Sequence, residues 1–204
     1  MFPTTGPLSQ NGLDRVVPRP FPGRDNSVAA ASASWQPFRM DVAELIRLKG
    51  EGAHLEFLFF WRHQTPGPGY LSQWWPSVFT VDGVTYATAE HYMMAEKARL
   101  FGDGETAAAI LDAPHPRSAK DLGRRVRNFD ERTWKEHRLA IVTRGNEAKF
   151  AQHEDMRDYL LGTRARILVE ASPLDRIWGI GLAADDPRAE DPAAWRGQNL
   201  LASP

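Results

Sequence analysis

The chain has 204 residues, of which 42% are hydrophobic and 25% are charged, and its formal net charge is −1. These values suit one ordinary soluble domain with a sizeable core, and they give no overall electrostatic reason to expect nucleic-acid or membrane binding. The count of 0 cysteines excludes disulfides, thiol nucleophiles and cysteine-ligated zinc, and no apolar run is long enough to span a bilayer, so we expect a cytoplasmic protein.

Residues 1–50 are predicted to be a poorly ordered or accessory N-terminal extension, followed by one domain over residues 51–204. Proline and glycine recur in the extension, and the small-residue run from Val28 to Ser34 has no sustained apolar period. A short helix is predicted from Met40 to Lys49, with Asp41 near its start and Gly50 at its end.

The first strand and hairpin follow. Leu55 to Trp61 reads as a short buried strand rich in aromatic residues, and Asp82-Gly83 between two β-prone runs is a strong hairpin signal. Aromatic residues crowd this part of the chain: Phe60, Trp61, Tyr70, Trp74 and Trp75. Most are expected in the core, and a surplus lining a cleft would suit stacking against a flat heterocycle.

A helix after the hairpin carries the first candidate site residue. Thr88 is a good N-cap, Glu90 falls in the first turn, and Gly102 supplies the end. Glu90, Met94 and Lys97 are spaced four and three residues apart, so they share one face of this helix. From spacing alone the acid is either a helix-dipole partner in solvent or a group presented to a pocket.

The remaining pattern is mostly helical. Short helices are predicted from Glu105 to Leu111 and from Ser118 into a basic cluster, Arg124-Arg125-Val126-Arg127, which is either a solvated face or a local clamp for phosphate. A long helix from Glu131 to about Phe150, a helix from about Glu154 to Gly162 and a buried strand complete the predicted elements. The strand is Ile167 to Glu170, and the irregular loop after it contains Asp175 and Trp178.

Several classes of site are absent from the sequence. The histidines have no tight metal-ligand spacing, and we find no dinucleotide fingerprint, phosphate-binding P-loop or Gly-x-Ser-x-Gly elbow. We therefore expect no metal and no cofactor. The residues alone indicate a helix-dominated α+β single domain with a few short strands, including a hairpin, and an aromatic and acidic cleft.

Ordered motifs run through most of the chain, from about Phe59 to Leu201. They are Leu71–Ser77, Phe79–Gly83, Thr88–Tyr92 with Ala95–Lys97, Ala119–Lys120 with Gly123–Arg124, Trp134, Ala148–Phe150 with Gln152, Leu160–Thr163, Leu168–Ser172, Asp175 with Trp178–Gly181, and Trp195 with Gly197–Leu201. In order and spacing they resemble the NADAR family, also called the YbiA-like proteins. The resemblance implies a helix-dominated α+β fold and hydrolysis of N-glycosidic bonds.

The same resemblance implies roles for particular residues. Glu90, Trp134 and Asp175 stand at positions regarded as catalytic in the family. The substrate-binding candidates at matching positions are Lys97, Arg124, Trp178, Trp75, Lys149 and Asn199. The arginine and Lys97 would hold phosphate, the tryptophans would pack on base or ribose, and Lys97 could instead pair with Glu90 and keep it ionised.

The implied chemistry suits these residues. Cleavage of a ribose C–N bond develops positive charge at the anomeric carbon, which a carboxylate such as Glu90 stabilises directly or through an activated water. A second acid, for which Asp175 is the candidate, binds sugar hydroxyls or protonates the leaving nitrogen.

Three functions are consistent with the family. The favoured one is hydrolysis of phosphorylated ribosylamino-pyrimidine intermediates of riboflavin synthesis. The alternatives are removal of ADP-ribose from nucleobases such as guanine, which adds ADP-ribosylated nucleic acid as a partner, and a non-catalytic module that binds ADP-ribose. The two acids favour an enzyme, and the oligomeric state stays open.

Overall fold

The computed structural model describes residues 41–202, so the prediction for residues 1 to 40 lies outside the described residues. The described part contains six α-helices, four β-strands and three short 3-10 helices. The α-helices are α1 Val42–Gly50, α2 Ala89–Leu100, α3 Gly104–Leu111, α4 Pro116–Gly123, α5 Glu131–Gln152 and α6 Glu154–Gly162; the strands are β1 Phe57–Phe60, β2 Phe79–Val81, β3 Val84–Tyr86 and β4 Ile167–Glu170; the 3-10 helices are Pro68–Leu71, Pro192–Ala194 and Leu200–Ala202.

The four strands form two separate pairs. Strands β2 and β3 are the predicted hairpin, and Asp82 and Gly83 both adopt positive φ angles, as a tight two-residue turn requires. Strands β1 and β4 pair in parallel, with Phe60 opposite Glu170. This parallel pair brings together segments more than a hundred residues apart in the chain, and it ends at Glu170.

Most helices begin where the sequence predicts, because short polar side chains cap them. The side chains of Asp41, Thr88, Asp103 and Asp130 each accept a hydrogen bond from a backbone amide in the first turn of their helix. The helix predicted from Met40 is therefore α1. It contacts the 3-10 helix Pro192–Ala194, and the Lys49 ammonium donates to the Glu190 carbonyl. The predicted domain boundary at residue 51 stays a prediction.

The prediction for α4 was wrong at both ends. The helix begins at Pro116, where proline suits the first turn, and it ends at Gly123 instead of continuing through the basic cluster. Beyond Gly123 the Asp103 side chain accepts from both the amide and the guanidinium of Arg127, at 2.9 and 2.7 Å. This long-range interaction occupies one of the three clustered arginines.

Helix α2 is the central element of the larger core. It packs against α3, α4 and α5, and eight of its twelve residues are buried. Close packing on α5 depends on Gly145, since a Cβ there would lie 2.4 Å from Tyr92 Cδ1. The start of α2, which carries Glu90, is thereby held deep in the protein. Among residues 41–202 no helix combines the length and apolar character needed to cross a membrane.

Candidate active site

Glu90 is a buried acid with one carboxyl oxygen that is hydrogen-bonded and one that is unpaired. The residue is 2% exposed. Its Oε2 accepts from the Trp74 indole Nε1 at 3.2 Å, whereas its Oε1 is buried and has no hydrogen-bond partner within residues 41–202. The Glu90 amide donates to the Gln73 carbonyl at 3.0 Å, which joins the start of α2 to the Trp74 loop. Such an unpaired buried oxygen is costly in a folded protein and marks a candidate for chemistry.

The charge state of Glu90 depends on its surroundings. Burial raises its pKa to about 7. Lys120 and the hydrogen bond from Trp74 act in the opposite direction, Asp175 raises the pKa further, and Arg124 lowers it. The carboxyl group is consequently poised to exchange a proton near neutral pH, which is the condition for general acid–base catalysis.

Asp175 is the second predicted acid, and the structure brings it near Glu90. Its Oδ1 accepts from the backbone amides of Ile177 and Trp178, at 2.9 and 2.8 Å. Its Oδ2 lies 3.9 Å from the Lys120 ammonium. Two amide hydrogen bonds and a facing ammonium hold the Asp175 carboxyl group in a fixed position.

A third acid, Glu170, belongs to the same cluster and was missed by the sequence analysis. It ends β4, and its Oε2 is buried without a hydrogen-bond partner in the described part of the chain. Burial raises its pKa to about 8, Asp175 and Glu90 raise it as well, and Lys120 lowers it. We call Glu90, Glu170, Asp175 and Lys120 the acidic site. The available signal was a carboxylate closing an apolar strand, Ile167-Leu168-Val169, just before an irregular loop.

Lys97 and Trp134 lie close to each other. The Lys97 ammonium donates to the Gly123 carbonyl at 2.8 Å and lies 4.3 Å from the Phe129 ring centroid and 5.6 Å from that of Trp134. Trp134 is buried in the larger core. The suggested ion pair between Lys97 and Glu90 is not formed, because these contacts hold the Lys97 side chain two turns away along α2.

The other predicted residues near the acids are Arg124 and Trp178. Arg124 follows α4, its side chain is 68% exposed, and it donates to Asp121 at 3.1 Å. Trp178 is half-buried, its amide donates to Asp175, and the Arg138 guanidinium carbon lies 5.8 Å from its ring centroid. Arg138 is itself buried. One arginine, Arg124, and one aromatic residue, Trp178, therefore border the acidic site.

The remaining three predicted residues brace the loops around the site. Trp75 packs edge-on against Tyr70 with ring centroids 4.8 Å apart, whereas its neighbour Trp74 is the residue that reaches Glu90. Lys149 is 0% exposed, and its ammonium donates to the carbonyls of Tyr70 and Ser72, at 2.6 and 3.0 Å. Direct contact of Trp75 or Lys149 with substrate stays a prediction.

Asn199 has a similar bracing position behind Glu170. Its Oδ1 accepts from the Glu170 amide and its Nδ2 donates to the Leu168 carbonyl, each at 3.0 Å. Its own amide donates to the Gly179 carbonyl. Asn199 thus joins β4 to the loop that carries Asp175, and its contact with substrate also stays a prediction.

The fold and the acidic site define a class of protein, an α+β protein in which three carboxyl groups in different environments act on one another. The chain belongs to the NADAR family, since the NADAR domain model matches residues 59–203.

Named relatives agree with this membership. The chain is 44% identical over 140 residues to N-glycosidase R617 of Acanthamoeba polyphaga mimivirus, which covers 66% of this chain and 82% of that protein. It is 34% identical over 107 residues to N-glycosidase YbiA of Escherichia coli strain K12, covering 52% of this chain and 64% of that protein. The NMR structure of E. coli YbiA matches with a TM-score of 0.59 and 27% identity, covering 74% of this chain and 80% of that one.

These matches confirm three predictions made from the sequence. They confirm the family, the helix-dominated α+β fold and the enzyme class, a hydrolase of the N-glycosidase type. The substrate and the roles of individual residues are matters for proposal.

Proposed function

We propose that the protein hydrolyses the ribose C–N bond of phosphorylated ribosylamino-pyrimidine intermediates of riboflavin synthesis. The observation that carries this proposal is Glu90, whose Oε2 is held by Trp74 while Oε1 is buried and unpaired within residues 41–202. A carboxylate oriented by one hydrogen bond and free on its other oxygen suits interaction with an anomeric carbon or with the water that attacks it.

The proposed reaction depends on charge that develops in the transition state. As the C–N bond breaks, the ribose gains oxocarbenium character, which the ionised form of Glu90 stabilises. Burial strengthens this electrostatic effect, because little water is present to screen it. Asp175, fixed by two backbone amides, is suited to hold ribose hydroxyl groups.

The border of the site offers groups for the rest of such a substrate. Arg124 is exposed, and its charge acts on the pKa of Glu90, so it is suited to bind a phosphate close to the ribose. Lys120 adds a second cation. The half-buried ring of Trp178 offers a flat face for a pyrimidine.

One observation favours the second candidate substrate, an ADP-ribosylated nucleobase. Trp74, which contacts Glu90, is flanked by His63, with ring centroids 5.8 Å apart, and by Arg117, whose guanidinium carbon lies 5.9 Å from the Trp74 ring centroid. An aromatic ring with an imidazole and a guanidinium nearby suits stacking and phosphate binding by a nucleotide or a short strand. ADP-ribosylated nucleic acid is therefore the alternative partner.

The cytoplasmic location of the protein stays a prediction.

Product analysis tests the proposal and separates the two substrates. Wild type, Glu90→Gln and the control Glu136→Gln, whose side chain is 59% exposed on α5, are incubated with a ribosylamino-pyrimidine phosphate and with an ADP-ribosylated guanine oligonucleotide. We expect wild type and the control to release ribose 5-phosphate from the first substrate, and Glu90→Gln to lose about 100-fold or more of the rate. Release of ADP-ribose alone would establish the second candidate, and cleavage of neither substrate would refute both.

A further inference from the structure

Glu170 is held rigidly at the edge of the acidic site. Its amide donates to Asn199 Oδ1 at 3.0 Å, and its carbonyl accepts from the Ile180 amide at 2.9 Å. A Cβ on Gly179 would lie 2.7 Å from the Glu170 carbonyl oxygen, so the following loop runs directly against this residue. The backbone of Glu170 is therefore fixed on both sides, and this fixes the position from which its side chain projects.

The charged groups that act on Glu170 come from three other elements. They are Glu90 at the start of α2, Lys120 on α4 and Asp175 in the loop after β4. The hydrogen bonds and the ion pair in this cluster go to Asp175 and Glu90. Asp175 takes two backbone amides and faces Lys120, and Glu90 takes the Trp74 indole.

Glu170 receives none of these contacts. Its Oε2 is buried without a partner among residues 41–202. An oxygen that is shielded from water, has no donor and lies near two other carboxyl groups favours the protonated form of its carboxyl group, because ionisation would add a negative charge beside theirs, and Lys120 offsets this only in part. Burial accordingly raises the pKa of Glu170 to about 8.

We infer that Glu170 is the acid that protonates the leaving nitrogen when the glycosidic bond breaks. This inference rests on the proposed N-glycosidase reaction, and it gives to Glu170 the proton-donor role for which the sequence suggested Asp175. The three acids then have distinct tasks, since Asp175 is anchored by two backbone amides, Glu90 faces the developing cation, and Glu170 carries the proton.

The proton and electron balance of this step is complete. The electron pair of the C–N bond goes to the nitrogen, which takes the proton of the Glu170 carboxyl group. The oxygen of water forms the new bond to the anomeric carbon, and its proton passes to the Glu90 carboxylate. Return of one proton from Glu90 to Glu170, directly or through solvent, restores the starting state without any further reactant.

A leaving group that needs no proton gives the decisive test. Wild type, Glu170→Gln, Glu90→Gln and the control Glu136→Gln are assayed on whichever substrate wild type cleaves and on 4-nitrophenyl ribofuranoside 5-phosphate, whose nitrophenolate leaves unprotonated. Glutamine keeps the size of the side chain and cannot transfer a proton. We expect Glu170→Gln to lose about 100-fold or more in kcat on the N-linked substrate and to remain near wild type on the nitrophenyl substrate, whereas Glu90→Gln loses activity on both.

The contrary outcomes separate the inference from the proposed function. Equal losses of Glu170→Gln on both substrates, or no loss on either, would overturn the role of Glu170 while an inactive Glu90→Gln still upheld the glycosidase. The wild-type pH profile decides the case independently of whether Glu170→Gln folds. We expect kcat on the N-linked substrate to fall as the pH rises through about 8, and a kcat that stays level or rises there would contradict proton donation by Glu170.

Discussion

Replacing Glu90 with glutamine is expected to remove activity and yet to stabilise the protein above neutral pH. Burial raises the pKa of Glu90 from an ordinary value of 4.5 to about 7. Between pH 4.5 and about 7, Glu90 keeps its proton in the folded protein, whereas the same side chain has released it in the unfolded chain. The contribution of Glu90 to folding is therefore fully present below pH 4.5 and is lost as the pH rises through 7.

The size of the effect follows from this shift. The difference between the two pKa values corresponds to roughly 3 kcal/mol of unfolding free energy lost by wild type well above pH 7. Glutamine avoids this loss but leaves a buried amide to satisfy, at a cost of about 1 kcal/mol. We expect a net gain for Glu90→Gln of about 2 kcal/mol near pH 8.5, or about 6 °C in Tm for a chain of this size, and no gain near pH 5.

Urea and thermal unfolding of wild type, Glu90→Gln and Glu136→Gln at both pH values measure this difference. Glu136 is exposed, so its substitution is expected to leave the unfolding free energy within about 0.5 kcal/mol of wild type at either pH. If the stability difference between Glu90→Gln and wild type is the same near pH 5 and near pH 8.5, Glu90 does not titrate as a buried acid and the reasoning fails.

Three further substitutions probe the surroundings of the site. Trp74→Phe removes the indole donor to Glu90, so the pKa of that acid should rise further, seen as a shift of the acidic limb of the kcat/KM profile to higher pH. Lys149→Met deprives the Tyr70 and Ser72 carbonyls of their donor and should lower the urea-derived unfolding free energy by roughly 2 kcal/mol. Gly197→Ala places a Cβ 2.1 Å from the Gly179 carbonyl oxygen, which displaces the loop of Asp175 and should lower kcat by about 100-fold.

Each substitution has a matched control in the chain. Trp75→Phe alters the neighbouring ring, which packs on Tyr70, and should leave the pH profile in place. Lys135→Met alters an exposed lysine on α5, and Gly162→Ala adds a Cβ that meets nothing within 4 Å. A pH shift as large for Trp75→Phe as for Trp74→Phe, an unfolding free energy for Lys149→Met no lower than that of Lys135→Met, or full kcat in Gly197→Ala would each contradict the geometry described above.

The local elements were predictable because neighbouring residues determine them. Asp82-Gly83 between β-prone runs produced the hairpin, and Thr88 capped α2 at the predicted place. In both cases the interactions join residues within a few positions of one another. The end of α4 was predicted wrongly, and just beyond it Arg127 binds Asp103, a residue 24 positions away in the chain.

In the acidic site too, some residues were predictable from the sequence, and some contacts depend on the tertiary structure. Motif order across the chain was sufficient to indicate the family and to single out Glu90 and Asp175 as its acids. Spacing along α2 suggested Lys97 as the cation for Glu90, but Lys120 on α4 is the lysine that acts on it. The conformation of the loop before α2 also decided that Trp74, and not Trp75, reaches the carboxylate.

The sequence by itself determined the fold class, the hairpin, the capped helices and the enzyme class, because these depend on local interactions and on motifs in a recognisable order. Only the tertiary structure decided that Glu170 joins the site. Its place depends on the parallel pairing of β4 with β1 and on Asn199, contacts between segments distant in the chain. Its protonation depends on burial and on which neighbours take the available donors, and neither property is encoded by any short stretch of residues.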